Sequence, residues 1–154
     1  MYHSTVIRSA QLQDAHAIMP LVEQLGYPTD LETLTKRIQI YLESPSDTSL
    51  FVAQSDNRIV GLIALAIFEN FVTPTTNRTC RITALVVDNT CRKQGIGRLL
   101  IQQAEQWASE NQAGIVELTS GTRRAQDGAH DFYAKLGYAN DGPFSKLFLR
   151  KKIV

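Results

Sequence analysis

Cysteine is scarce in this 154-residue chain: Cys80 and Cys91 are the only two, too few for a disulfide framework. Each reads as a buried thiol, and a reducing cytoplasm is the setting this usage fits. The three histidines, His3, His16 and His130, are scattered, so no metal-ligand cluster is expected. Long hydrophobic runs are missing too. The longest, IVGLIALAIF from Ile59 to Phe68, falls short of the about 20 residues that cross a bilayer. The opening MYHSTVIRSAQLQDA has the pattern of neither a secretion signal nor a transit peptide. Charge of one sign is not in surplus either. A net charge of +1 provides no global field for nucleic acid or an anionic membrane, so neither is expected as a partner. Any attraction for an anion must be local. Repeats, low-complexity tracts and linkers are absent, so residues 1–154 are expected to form a single domain.

What is present reads as an ordinary globular chain, 44% hydrophobic and 20% charged. STVIRSA predicts an opening strand. Asp14 then caps a helix with Ile18, Leu21, Val22 and Leu25 at helical spacing, and Asp30 opens a second with Leu31, Leu34, Ile38 and Leu42 on one face. LFVAQ and RIVGLIALAIF, separated by SDN, read as a hairpin. CRITALVVD is a further strand, apolar enough to be covered on both sides. From Gly95 to Asn111 the pattern is an amphipathic helix, with Ile96, Leu100, Ala104 and Trp107 inward and Arg98, Gln102, Glu105 and Glu110 outward. GIVELTS is a strand, DGAHDFYAKLG a helix stopped by Gly137, and KLFLRKKIV a closing strand. Hairpin-joined and helix-joined strands both occur. A mixed sheet with helices on both faces follows.

The segment VVDNTCRKQGIGRLL raises the functional question. Gly95 and Gly97 bare the backbone where a helix begins, so its first N–H groups point out of the positive end unobstructed. Arg92, Lys93 and Arg98 add local positive charge, and such a junction can hold a phosphate or pyrophosphate. The dinucleotide fingerprint G-x-G-x-x-G fails because Leu100 stands at the third glycine, and the phosphate loop G-x-x-x-x-G-K-[ST] is absent. A plain turn before a helix is the bland alternative.

Arg92, Gly95 and Gly97 fill the fixed places of [RQ]-x-x-G-x-[GA], after an apolar strand and before a helix. This resembles the acetyl-coenzyme A loop of the GNAT superfamily of N-acetyltransferases. IRSAQLQDAHAI is similar to its opening strand and helix, RIVGLIAL to its central hairpin and FYAKLGY to its closing signature. The resemblance implies an α/β (α+β) fold: a mixed, splayed sheet of six to seven strands with about four helices on both faces. It implies acetyl-coenzyme A as co-substrate, its pyrophosphate on the amides of Arg92, Lys93, Gln94, Gly95, Ile96, Gly97 and Arg98. The pantetheine arm would bond the backbone of Leu85, Val86 and Val87. The acceptor would be an amine, on a small molecule or a peptide, in a cytoplasmic protein; homodimers are common among such domains.

Acetyl transfer to an amine sets three demands. The amine must be neutral, although a free alkylamine titrates at about 10.4; the thioester oxygen needs a donor; and the departing thiolate needs a proton. The resemblance assigns the last to Tyr133, in FYAKLGY, as general acid; simple packing with Ala129, Phe132 and Leu136 is the alternative. The Val87 N–H or a neighbour would serve the oxygen. Family members with a carboxylate base on the strand carry Glu eleven residues before the position of Arg92, and here that residue is Arg81, which cannot take a proton. Either the proton leaves through water to Glu69, Glu117 or His130, or Arg81 holds an acidic group on the acceptor; a salt-bridged surface arginine is the third reading. The segment ELTSGTRRAQDGAHDFYAKLGY resembles the subgroup that includes aminoalkylphosphonate acetyltransferases, with Arg123, Arg124 or Gln126 supplying a polar contact. The turn bearing Tyr27 and the loop from Phe71 to Arg78 are the expected acceptor walls. Cys91 reads as a packing residue, since no base stands beside it, so the amine attacks the thioester directly. The alternatives to an enzyme of this kind are a silent coenzyme A-binding regulatory module and a dinucleotide oxidoreductase; the latter also lacks an acidic ribose reader.

Overall fold

Asp56 and Asn57 carry φ of 50° and 63°, the left-handed pair of a two-residue hairpin turn, which Asp and Asn tolerate better than most residues. They join β2 (Thr48–Ser55) to β3 (Arg58–Glu69), with Ser55 opposite Arg58, as the SDN segment predicts. The structure is a computed structural model that describes residues 4–72, 76–120, 128–140 and 148–154. It divides into two compact units, Met1–Glu117 and Leu118–Val154.

β1 (Thr5–Ser9) runs antiparallel to β2, and β4 (Arg78–Val87) antiparallel to β3. β5 (Ile115–Leu118) completes a sheet of order β1-β2-β3-β4-β5. The Gly114 N–H donates to the Arg78 carbonyl at 3.2 Å and the Arg81 side chain reaches Glu117, so β5 follows the first half of β4 in the same direction. The sheet is therefore mixed, with a helix supplying the crossover. Ala64 faces Ala84 but Leu65 faces Ile82, which leaves Thr83 as an extra residue in β4, a bulge. β5 is four residues long and lies beside the first half of β4, so among the described residues the half of β4 that leads to Val87 has a strand, β3, on one side alone.

Among the described residues five strands stand where six to seven are expected. Of the predicted closing strand, Lys146 and Leu147 lie outside the described residues, and residues 148–154 have no regular structure. Phe148 and Leu149, adjacent in sequence, are 71% and 84% exposed, whereas a half-buried strand would cover one of them. Apolar composition supplies a face but no ladder partner.

α1 (Ala15–Gln24) and α2 (Leu31–Glu43) cover one side of the sheet, where Ile18, Leu21, Leu34 and Ile38 pack on Leu50, Val52, Leu62, Ala64 and Val86. Asp30 caps α2 as predicted, accepting the Thr33 N–H at 2.7 Å. Asp14 does otherwise. It makes no cap bond to α1; its carboxylate takes two bonds from Arg8, at 2.8 and 2.9 Å, and one from the Gln11 N–H. The stripe on α2 is also narrower than its spacing predicts: Leu31 and Leu42 are exposed, and Tyr41 packs against the core instead.

α3 (Ile96–Glu110) covers the other side, burying Ile96, Leu100, Ile101, Ala104, Trp107 and Ala108, each large apolar side chain contributing about 1.5–3 kcal/mol. Its outward residues Arg98, Gln102, Glu105 and Glu110 are exposed, as predicted. Gly61 permits this approach: a Cβ there would stand 3.1 Å from Leu100 and 3.3 Å from Ile96. The second unit contains α4 (Ala129–Lys135). Among the described residues, no helix is long and apolar enough to cross a membrane, and no cluster of His, Cys, Asp and Glu could hold a metal ion.

Candidate functional site

At the end of β4 the chain turns on Asp88, whose side chain is tied three ways. It accepts the Thr90 N–H at 2.9 Å and the Thr90 hydroxyl at 2.7 Å, and it meets Arg58 Nη2 at 2.8 Å. These bonds, the Thr90 N–H foremost, hold the Asp88 carboxyl below its usual range. A depressed carboxyl adds stability that is fully present above its unfolded value near 3.9 and is lost as pH falls through the folded value. The carboxyls of Asp14, through Arg8, and Asp30, through Thr33, are lowered too. Melting temperature is therefore expected to stay level from pH 7 to about 5 and to drop below about 4. Asp88→Asn is expected to make that drop shallower and to weaken binding at the loop, which thermal melts and ligand titration would read; an unchanged acid profile contradicts the account.

After Asp88, a 3-10 turn (Asn89–Cys91) leads to two residues in the left-handed region, Lys93 at φ 63° and Gly95 at φ 83°. Such a conformation costs a lysine about 1 kcal/mol or more, and strain of this kind gathers at ligand-holding turns. Gly95 is the N-cap of α3, with no side-chain cap and no acidic residue in the first turn. The first helical bond is Leu99 N–H to Gly95 O, 3.1 Å. The N–H groups of Ile96, Gly97 and Arg98 meet no acceptor among the described residues. Arg92, Lys93, Gln94, Gly95 and Arg98 are exposed, Gly97 is half-buried, and the Ile96 side chain is buried under the sheet, so Ile96 can offer only its amide. Outward N–H groups, a positive helix end and cations within a few residues form a cradle for a diphosphate. Leu85, Val86 and Val87 precede it on the one-sided part of β4, paired with Ile63, Leu62 and Gly61. Arg92 Nε reaches back to the Val87 carbonyl at 3.4 Å.

Two connections escape the sequence reading. Arg58, from the β2–β3 hairpin, anchors Asp88, and the Gln24 carboxamide of α1 accepts the Asn89 N–H at 3.0 Å. The Asp88–Asn89–Thr90 triplet carries a signal for the first, an Asx turn. Nothing local marks Gln24.

Arg81 does not stand free on β4. Its Nε donates to Glu117 at 2.9 Å, its Nη2 meets the same oxygen, and its guanidinium lies 5.0 Å over the Phe68 ring. Glu117 is thereby occupied. Glu69 is held by Asn77 Nδ2 and lies 3.8 Å from Arg78 Nη1. Tyr27 and Phe71 are exposed, and the aromatic ring beside Arg81 is Phe68. Burial, with Glu117 as a second influence, pushes the Cys80 thiol up to about 12, so it stays protonated and inert. Cys91 is half-buried beside the Thr90 hydroxyl at 3.6 Å.

In the second unit, α4 ends at Gly137, φ 93°, with Tyr138 N–H on Tyr133 O and Gly137 N–H on Ala134 O. This is the glycine stop predicted for the helix. Tyr133 is half-buried between the rings of Phe132 at 5.2 Å and Tyr138 at 6.2 Å; His130 is exposed. Arg123, Arg124 and Gln126 lie outside the described residues.

Comparison with known proteins agrees with this geometry. A Chlorobaculum tepidum protein described as an uncharacterized N-acetyltransferase is 31% identical over 137 residues, 87% of this chain and 75% of that one. Glucosamine-6-phosphate N-acetyltransferase from Arabidopsis thaliana has the same fold, with a TM-score of 0.80 and 18% identity over 98% of this chain and 99% of its own. So does aminoglycoside N-acetyltransferase AAC(6')-Iy, solved in complex with CoA, with a TM-score of 0.85 and 14% identity over 100% of this chain and 98% of its own. Residues 14–138 match the Acetyltransferase (GNAT) family, and the chain belongs to that family.

Proposed function

We propose that this acetyltransferase, whose co-substrate is acetyl-coenzyme A, acetylates a primary amine by direct attack on the thioester. The observation that carries the reading is the N-terminus of α3. Three N–H groups without acceptors among the described residues, a left-handed Gly95 and the cations Arg92, Lys93 and Arg98 suit the pyrophosphate, while the backbone of Leu85, Val86 and Val87 suits the pantetheine arm. The amine nitrogen bonds to the acetyl carbon as the C–S bond breaks. The sulfur leaves with a proton from the Tyr133 hydroxyl, and the amine gives up its own proton to water.

The finer reading is an acceptor that carries its own acidic group, as the resemblance to aminoalkylphosphonate acetyltransferases implies. Arg81 supports it: Glu117 uses Nε and Nη2, and Nη1 has no partner among the described residues. A second acid could dock on that edge of the planar fork. The test is thiol release with spermidine, an aminoglycoside, glycine, aminomethylphosphonate and a peptide N-terminus. Turnover is expected to favour amines bearing an acid, and Arg81→Gln is expected to remove the preference about tenfold. Indifference to the acidic group sinks the finer reading; no thiol release with any amine sinks the transfer itself.

A further inference from the structure

The bulge at Thr83 carries a chain of hydroxyls that the reaction outlined above leaves unused. The Thr83 hydroxyl donates to the Ala64 carbonyl at 3.2 Å, and the Tyr41 hydroxyl, from α2, lies 2.8 Å from Thr83 Oγ1. A hydroxyl has one proton to give. Either hydroxyl could donate in the 2.8 Å contact; the arrangement that also keeps Thr83's bond to Ala64 has Tyr41 as the donor. In that arrangement the order is Tyr41 O–H to Thr83 O–H to Ala64 C=O. Tyr41 then has no proton to offer outward, and its Oη presents lone pairs alone. The ring is held by packing against the core of α1 and α2, and the hydroxyl pair is open to solvent.

Position adds to this. The bulge lies two residues before Leu85, where the proposed pantetheine track ends. Thr83 and Arg81 are alternate residues of β4 and both are exposed. An acceptor-only oxygen beside the reacting end of the track selects a group that donates.

Resting on the proposed acetyl transfer, we propose that Tyr41 Oη receives an N–H of the acceptor amine and sets its position, with Thr83 fixing the direction of that bond. The site takes amine or ammonium groups and disfavours groups that only accept.

The test uses the amine turned over fastest by the unaltered protein among spermidine, an aminoglycoside, glycine, aminomethylphosphonate and a peptide N-terminus. Tyr41→Phe keeps the ring and removes Oη. It is expected to raise KM for that amine about tenfold, with KM for acetyl-coenzyme A unchanged. Thr83→Val frees the Tyr41 proton to point outward and is expected to give a smaller rise of the same kind; Thr83→Ser is expected to behave as the unaltered protein. Unchanged kcat/KM for the amine in Tyr41→Phe overturns the proposal and leaves acetyl transfer standing. An equal loss for amine and acetyl-coenzyme A overturns it in favour of a purely structural role. Absence of turnover with every amine removes the transfer reading together with this one.

Discussion

Gly95→Val is expected to lower the affinity for acetyl-coenzyme A about a hundredfold in calorimetric titration. Two effects combine. At φ 83° a branched side chain is strained by about 1–2 kcal/mol, and relieving that strain rotates the peptide planes that aim the amides of Ile96, Gly97 and Arg98. Each bond from such an amide to a charged oxygen is worth about 1.5–3 kcal/mol, so misaiming one of them suffices for most of the loss. Crowding by the protein plays no part, because a Cβ at Gly95 would meet nothing within 4 Å. Gly95→Asn separates the contributions. Asparagine tolerates the left-handed region, so it is expected to retain more affinity than valine. Valine binding as tightly as glycine would show that the helix end is not the anion site.

Tyr133→Phe is expected to lower kcat about a hundredfold while Kd for acetyl-coenzyme A stays within twofold. The edge-on contacts with Phe132 and Tyr138 use the ring, and the glycine stop uses the Tyr133 carbonyl; both survive loss of the hydroxyl. A thiolate can depart unprotonated, so residual turnover is expected, and it is expected to be restored by acetyl thioesters with a more acidic thiol. Full turnover in the phenylalanine variant removes Tyr133 from the reaction.

Much of this was legible before any coordinates. The α3 stripe of Ile96, Leu100, Ala104 and Trp107, the Ser55–Arg58 hairpin and the strand-to-helix turn at Gly95 all depend on residues close together in sequence, where periodicity and turn chemistry speak directly. What escaped depends on distant partners. Arg81 has the same residue type whether it waits for a ligand or lies on Phe68 and Glu117, and only the placement of β5 decides. The bulge at Thr83 leaves no trace in an alternation of apolar residues, since it is a slip in register between β3 and β4. The last strand failed for the converse reason: KLFLRKKIV has strand-like composition, but a ladder needs a neighbour that composition cannot name.

The bond between Gln24 and Asn89 bears on how such a molecule can change over evolutionary time. One residue added within α1 would swing Gln24 by about 100° around the helix axis and break the strut to the turn before α3. Extra length added after Gly26, where α1 has already stopped, leaves the strut in place. The segment from Gly26 to Asp30 can thus lengthen, shorten or vary its side chains while the turn before α3 keeps its tie to α1. If that turn holds the acyl donor as proposed and Gly26–Asp30 borders the recipient, a single carboxamide insulates the one from the other.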